Sequence, residues 1–540
     1  MPVITIKTFG GEIPKLDPRL LPNEAATKAF GCHFDNGNLS PLKEHLEIAA
    51  PVPDDTKTIY LHENEYWFSW SVDVNAVASP VASDPWSRVY FTGDGYPKVT
   101  NNTIFQGTNM PASAYKLGIQ APEVPIIGVV SESAPEDEDL RADPNDDETR
   151  YYTHTFVTEQ GEEGPPGEAS NAIEIKYPDE EGTFVTLSFS PPNTNSSNIT
   201  SRRIYRTATG GGVADYLFVA EILISQDLFV DDFNTSELGA SLDTYDYEMP
   251  NENMIGLTTM ANGILAGFFD STVCFSEAYL PYAWPTGYQQ TTEHEIVTVK
   301  ALGNTLAVLT KGYPYLFSGI TPSSMTGQKL EFTQSCSSKR SAVIIEGAII
   351  YASPDGLVSL STNGMQILTS SVITKEQWKY FKPETIEAYH QEGKYLAFYG
   401  EDLNKGFIFN PKTGDFRHFT NTAKYGFNNL EDDNLYIGSG GAVFRWEGGI
   451  EPVSYEWRSK EYQSNDFSFS CALVRGVNLD KCGLIVYADN EAVLNIGIGD
   501  MPSAAFRLPQ ARGDSWAVEI FGKGVIHTVT LSTTMREVVS

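Results

Sequence analysis

Basic residues are scarce in this chain of 540 residues, where 37 Lys and Arg face 70 Asp and Glu for a formal net charge of −33. That balance disfavours tight binding to the outside of DNA or to an anionic membrane, and it makes the chain soluble and self-repelling. Cysteine is scarce too. Cys32, Cys274, Cys336, Cys471 and Cys482 are odd in number, widely spread and never in a C-x-x-C pair, which argues against a disulfide framework or a zinc site. A reducing folding compartment is the plain expectation. No apolar run approaches the length of a membrane-crossing helix, and Met1-Pro-Val-Ile-Thr-Ile-Lys-Thr-Phe lacks the basic and apolar regions of a secretory signal. The chain is therefore expected to be made in the cytoplasm. Long stretches with the apolar period of a helix are also missing.

What is present is aromatic residues and turn formers: 29 Phe, 27 Tyr and 8 Trp beside 45 Gly and 31 Pro. Many short strands joined by tight turns follow, in an all-β chain too long for one core. Five times a polar or glycine turn opens into an apolar strand, starting at Ile264, Leu306, Ile349, Tyr395 and Leu435, at intervals of 42, 43, 46 and 40 residues. A second apolar strand follows each one, near Val273, Tyr315, Leu357, Phe407 and Val443. That period is the period of a β-propeller blade, a four-stranded sheet that stacks on its neighbours. The segment Tyr66-Trp-Phe-Ser-Trp with Arg88-Val-Tyr-Phe-Thr reads as one further blade, which predicts a propeller of six.

Five regions follow. Residues 1–50 read as an extended arm without regular period, 51–120 as the first blade, 121–250 as an inserted immunoglobulin or fibronectin type III-like sandwich, 251–450 as the remaining blades, and 451–540 as a C-terminal β-sandwich. Six or seven alternating strands carry the inserted module, from Tyr151-Tyr-Thr-His-Thr-Phe-Val-Thr to Leu228-Phe-Val-Asp-Asp. Ahead of them, Glu136-Asp-Glu-Asp-Leu-Arg-Ala-Asp-Pro-Asn-Asp-Asp-Glu holds eight carboxylates. It lacks the calcium-loop spacing and reads as a solvated loop.

Catalytic signals are weak. The eight histidines make no H-E-x-x-H or H-x-H set, no G-x-S-x-G elbow occurs, and Gly210 to Gly212 read as a hairpin turn rather than a phosphate cradle. Sialidase-type repeats are absent, Ser353-Pro-Asp-Gly having the wrong spacing. Arg512-Gly-Asp reads as a chance tripeptide. Trp70, Trp86, Trp284, Trp446 and Trp457 read as packing residues. The expectation is a non-enzyme with no cofactor and no metal.

Several phrases together resemble one family. The arm Phe9-Gly-Gly-Glu-Ile-Pro-Lys-Leu-Asp-Pro with Cys32-His-Phe-Asp-Asn-Gly-Asn-Leu-Ser-Pro-Leu is similar to the N-terminus of the nozzle proteins of short-tailed bacteriophages, the tail tubular protein B and tail stabilisation group. Asp84-Pro-Trp-Ser-Arg-Val-Tyr-Phe-Thr-Gly-Asp-Gly-Tyr-Pro-Lys, Tyr205-Arg-Thr, Phe218-Val-Ala-Glu-Ile, Met254-Ile-Gly-Leu and Phe275-Ser-Glu-Ala-Tyr-Leu-Pro-Tyr-Ala-Trp-Pro resemble its later parts. The resemblance runs from about residue 5 to 450. It implies a virion protein, a homohexameric ring below the portal and adaptor, with tail fibres or a tip plug as further partners and the genome passing through without being held. A glycan-binding or glycan-cleaving tail or adhesion protein is the alternative.

Because the arm has no periodic element of its own, its apolar residues Phe9, Ile13, Leu16, Leu20, Leu21, Phe34, Leu39 and Leu42 are the interface candidates. They are expected to pack on a neighbouring subunit or on the adaptor. Deleting the arm is then expected to leave folded monomers that form no rings.

Overall fold

The computed structural model describes residues 3–105, 111–134, 147–178, 180–208, 215–362 and 364–539. Most of the acidic stretch from Glu136 and the turn Gly210 to Gly212 lie outside them. The fold is an all-β propeller fold, with 46% of residues in strands and 7% in helices. The chain divides into two units: 1–72 with 308–314 and 329–540, and 73–307 with 315–328.

Four-stranded antiparallel meanders recur along the chain. In the second unit one consists of Asn75–Ala78, Val89–Thr92, Lys98–Thr100 and Tyr115–Lys116, and another of Ile255–Thr259, Leu265–Phe269, Thr272–Phe275 and Gln290–Thr291. Their first strands pack side by side, as blades do. A further meander runs through Ile296–Leu302, Thr305–Thr310, Tyr315–Ser318 and Thr326–Lys329. The first unit holds the blades that begin at Val343, Glu387 and Tyr425.

Each of the five apolar segments expected from the period is the second strand of its meander, and each partner segment is the third. Second strands are buried on both faces, as in Leu265–Phe269 and Lys394–Tyr399. That gives the continuous apolar runs that periodicity detects. Fourth strands such as Thr326–Lys329 and Gly364–Ile367 are largely exposed, and they carry no such run.

The expected first blade, 51–120, is not a single sheet. Among the described residues Thr58–His62 and Tyr66–Trp70 form a two-stranded sheet, whereas Val89–Thr92 belongs to the separate sheet that begins at Asn75. The segments assigned to a single first blade thus lie in two sheets and in different units.

The inserted module is a sandwich. One sheet holds Ile127–Ser131, Phe184–Ser188 and Leu228–Asp231, and the other Tyr152–Thr158, Ile199–Thr207 and Tyr216–Leu223. Val185, Leu187, Tyr152, Ile204 and Val219 fill the space between them. Buried in the same module, Asp231 takes hydrogen bonds from Arg206 Nη1 at 2.5 Å and the Tyr152 hydroxyl at 2.7 Å. Both Arg206 and Asp231 are fully buried, so the charges compensate each other away from water.

Candidate functional site

The arm is the segment the sequence marked for function. Val3–Ile6 pairs antiparallel with Val525–Ser532, adding an edge strand to the sheet that also holds Cys471–Val477 and Phe506–Arg507. Phe9 then turns inward and meets Trp457 edge-to-face, ring centroids 4.9 Å apart. The indole nitrogen of Trp457 donates to the Gly10 carbonyl at 3.0 Å. At Gly11 the chain passes so close to the blade that a Cβ would overlap the amide and carbonyl of Phe416. The Glu12 amide donates to that same carbonyl at 2.7 Å, and its carboxylate accepts from the Ala29 amide at 2.6 Å.

Ala26–Phe30 lies between two partners. It pairs antiparallel with Tyr455–Ser459 and parallel with Phe416–Thr420 at Phe30. This one strand therefore joins the blade of Glu387–Gln391 to the C-terminal sheet of Tyr455–Ser459, Gly513–Gly522, Cys482–Ala488 and Glu491–Ile496. Leu39 exchanges backbone hydrogen bonds with Ile526 at 3.0 and 2.9 Å. Finally Leu46–Ile48 pairs with Ala442–Arg445 and supplies the fourth strand of the last blade, whose outer edge would otherwise expose unpaired backbone groups.

A largely buried polar knot fastens the next turn. The His33 Nε2 lies 2.8 and 3.0 Å from the two Glu447 oxygens, while Arg417 Nη2 lies 3.2 Å from Nδ1. Arginine can only donate, so Nδ1 accepts and Nε2 carries the proton toward Glu447. Glu447 also accepts from the Lys43 amide at 2.9 Å and the Trp446 indole at 3.2 Å. Burial opposes its ionisation, but these donors, His33 first, outweigh burial and hold the carboxyl below its ordinary value. Burial pushes the neighbouring Cys32 thiol up to about 12, so it stays a protonated packing group. Burial likewise lowers the Arg417 value, and the guanidinium sits 5.5 Å over the Phe34 ring. A base, a carboxylate and a cation are thus brought together: His33 and Glu447 are engaged with one another and with the arm, while the buried Nε of Arg417 has no hydrogen-bond partner among the described residues.

The structure corrects the interface expectation for most of the eight candidates. Phe9, Leu21, Phe34, Leu39 and Leu42 are buried inside their own chain, Phe9, Phe34 and Leu39 in the C-terminal core and Leu42 in the core of a blade. Ile13 is half-buried. Only Leu16 and Leu20 project outward, at 39% and 72% exposure. The physical reason is partnership at long range: the arm does have regular elements to join, but they lie some 400 residues further along. Sequence reading also missed His33, Arg417 and Glu447 as a group, since nothing in a single sequence links positions so distant.

Elsewhere the chemistry is sparse. Among the described residues no three His, Cys, Asp or Glu side chains are placed to hold a metal ion, and no helix is long and apolar enough to cross a membrane. A cavity lined by Tyr96, Leu117, Met249 and Pro250 measures about 80 Å³, and one beside His154 and Phe156 about 10 Å³. Small-molecule sites are usually ~300–1,000 Å³. Arg512 of the Arg-Gly-Asp tripeptide is exposed and lies 3.5 Å from Asp466.

No protein-family model matches the chain, and no curated protein matches it. Among solved structures, it is similar to BamB from Moraxella catarrhalis at 14% identity and a TM-score of 0.25, covering 59% of this chain and 97% of that one. Hsv2 of Kluyvelomyces marxianus aligns at 8% identity and a TM-score of 0.26, over 52% of this chain and 89% of that one. An exo-beta-1,3-galactanase from Phanerochaete chrysosporium, solved with galactose, aligns at 9% identity and a TM-score of 0.22, over 51% and 95%. Likenesses this distant carry no argument about what the present chain does.

Proposed function

We propose that this chain is a wall subunit of a short phage tail nozzle, assembling into a ring through which a genome leaves the particle. The observation that supports it is where the family-like phrases sit. Phe9-Gly-Gly-Glu is the segment wedged between Trp457 and Phe416, with glycine required at Gly11 by backbone contact. In Asp84-Pro-Trp-Ser-Arg, Asp84 accepts from the Trp86 amide at 3.2 Å and from Arg88 Nε at 2.7 Å, tying a turn. Residues that carry the resemblance are thus those the fold depends on, so the likeness follows an architecture rather than chance composition.

Charge is compatible with the role. A channel wall must not hold its cargo, and a chain of net charge −33 repels a duplex that carries a phosphate charge every ~1.7 Å. Because most of the arm is committed to its own chain, subunit contacts must come from other surfaces. Electron microscopy of the purified full-length protein is the test. Closed rings with an open centre are expected, and single particles of monomer size at every concentration would refute the reading.

A further inference from the structure

We infer that the inserted sandwich binds a halide ion, chloride under physiological conditions, in the cavity beside His154, Phe156 and Ser190, where the ion serves as counter-charge to Arg202. Tyr152–Thr158 and Ile199–Thr207 pair so that Phe156 stands opposite Arg202 and His154 opposite Ile204. Ile204 lies in the core of the module. Side chains two residues apart on a strand, or directly opposite across a pair, share a face, so Arg202 and His154 point the same way as Ile204. Arg202 is fully buried. Its Nη1 and Nη2 donate to the carbonyls of Ser190 and Ile224, both at 3.2 Å, and its guanidinium lies 4.8 Å from the Phe189 ring and 6.0 Å from the Phe156 ring.

Carbonyls and rings carry no net charge. Arginine stays ionised inside a protein, and a buried charge without a counter-charge is costly. Arg206 in the same module meets Asp231 at 2.5 Å. Among the described residues Arg202 has no such partner, since Asp227, the carboxylate that acts on it, is exposed and forms no ion pair with it. Two buried atoms there also have no hydrogen-bond partner among the described residues, Arg202 Nε and His154 Nδ1. The imidazole packs on the same two rings as the guanidinium, 5.7 Å from Phe156 and 5.5 Å from Phe189. His154 is 2% exposed, and burial, with Arg202 adding to it, lowers its pKa to about 3. It is therefore neutral, and with its proton on Nδ1 it is a second donor beside the cation.

Size and charge choose the ligand. The cavity, lined by His154, Phe156, Gln120, Ser190 and Asn193 among others, measures about 10 Å³, room for about one water-sized guest. A carboxylate or a phosphate is too large, and a metal ion is repelled by Arg202. Of the two guests that fit, water and chloride, only chloride neutralises the guanidinium. The chain's net charge of −33 opposes anions in general, but exposed carboxylates such as Asp227 and Glu123 at the rim face water, where salt screens a charge within ~8 Å at physiological ionic strength. Buried Arg202 is screened far less. The site forms within one chain, so ring assembly neither requires it nor reveals it.

Thermal melts of the full-length protein in sodium chloride and in sodium gluconate, at equal ionic strength, test this. Gluconate cannot enter the cavity. Chloride should raise the melting temperature along a saturating curve, the unfolding constant falling by the factor 1 + [Cl⁻]/Kd, about tenfold at ten times Kd. Bromide should act in the same way, and crystals soaked in bromide should show its anomalous signal beside Arg202 Nε. Arg202→Met, which keeps the stem and removes the charge, should abolish the response. His154→Phe, which sets an apolar ring against Phe156 and Phe189, should weaken it severalfold, and it carries the test if Arg202→Met does not fold. Equal melts in the two salts overturn the inference, as does a response that both variants retain in full, or a cavity that holds water and no bromide.

Discussion

If the arm is an internal strap, truncating its buried anchor should weaken the monomer itself. Phe9 is 4% exposed and meets Trp457, which is fully buried. Phe9→Ala removes a ring from a packed site, a change that costs about 3–5 kcal/mol in protein cores. The edge-to-face contact makes up about 0.5–1.5 kcal/mol of that. With a urea dependence of about 3 kcal/mol/M for a unit of this size, the midpoint should fall by about 1 M or more. Tryptophan fluorescence follows the transition, because Trp457 is the ring left uncovered. Phe9→Leu, which keeps most of the volume, should shift it far less. The decisive feature is concentration: a strap in its own chain loses stability equally in dilute monomer and in concentrated protein. If Phe9→Ala instead unfolds like wild type and only assembly suffers, Phe9 docks on another molecule and the seating described here is wrong.

Other changes test the remaining parts. Gly11→Ala should unseat the arm, because a methyl group meets Phe416 backbone that cannot rotate away, and limited proteolysis should then cut between residues 7 and 25. Glu447 has its folded value lowered, so its contribution is full above the ordinary value of 4.5 and is lost as pH falls through the folded value. Glu447→Gln should flatten the acid side of the first unit's stability profile. Glu162 has the opposite sign: burial pushes it up to about 7, with Asp84 adding to this against the pull of Arg88. Its contribution therefore declines as pH rises from about 4.5 toward 7, and Glu162→Gln should remove that decline in a pH series of second-unit melts. In the inserted sandwich, Asp231→Asn leaves Arg206 buried without its counter-charge, which should cost about 3–5 kcal/mol by denaturant unfolding.

Much of the architecture is legible in the sequence because it is local. The strands at Leu265, Thr305, Ala348, Lys394 and Asn434 begin within one residue of the expected starts. They are central strands, buried on both sides, and so each reads as an apolar run that needs no knowledge of its partners. The inserted sandwich is legible for a related reason, since Val185 and Leu187 alternate with Thr186 and Ser188 within a few residues. Edge strands such as Gly364–Ile367 are half solvated and carry too little apolar signal to be placed.

The arm marks the limit. By itself the sequence determined that residues 1–50 have apolar side chains and no period of their own, and that the chain is acidic, all-β and built on a repeat of about 42 residues. Only the tertiary structure decided what the apolar residues cover. Val3–Ile6 lies on Val525–Ser532, Ala26–Phe30 between Tyr455–Ser459 and Phe416–Thr420, and Leu46–Ile48 on Ala442–Arg445. A strand's hydrogen bonds are indifferent to how far along the chain their partners lie, so pairing across hundreds of residues leaves no mark in local pattern. Those pairings turn a segment that reads as a free arm into the strap of its own fold.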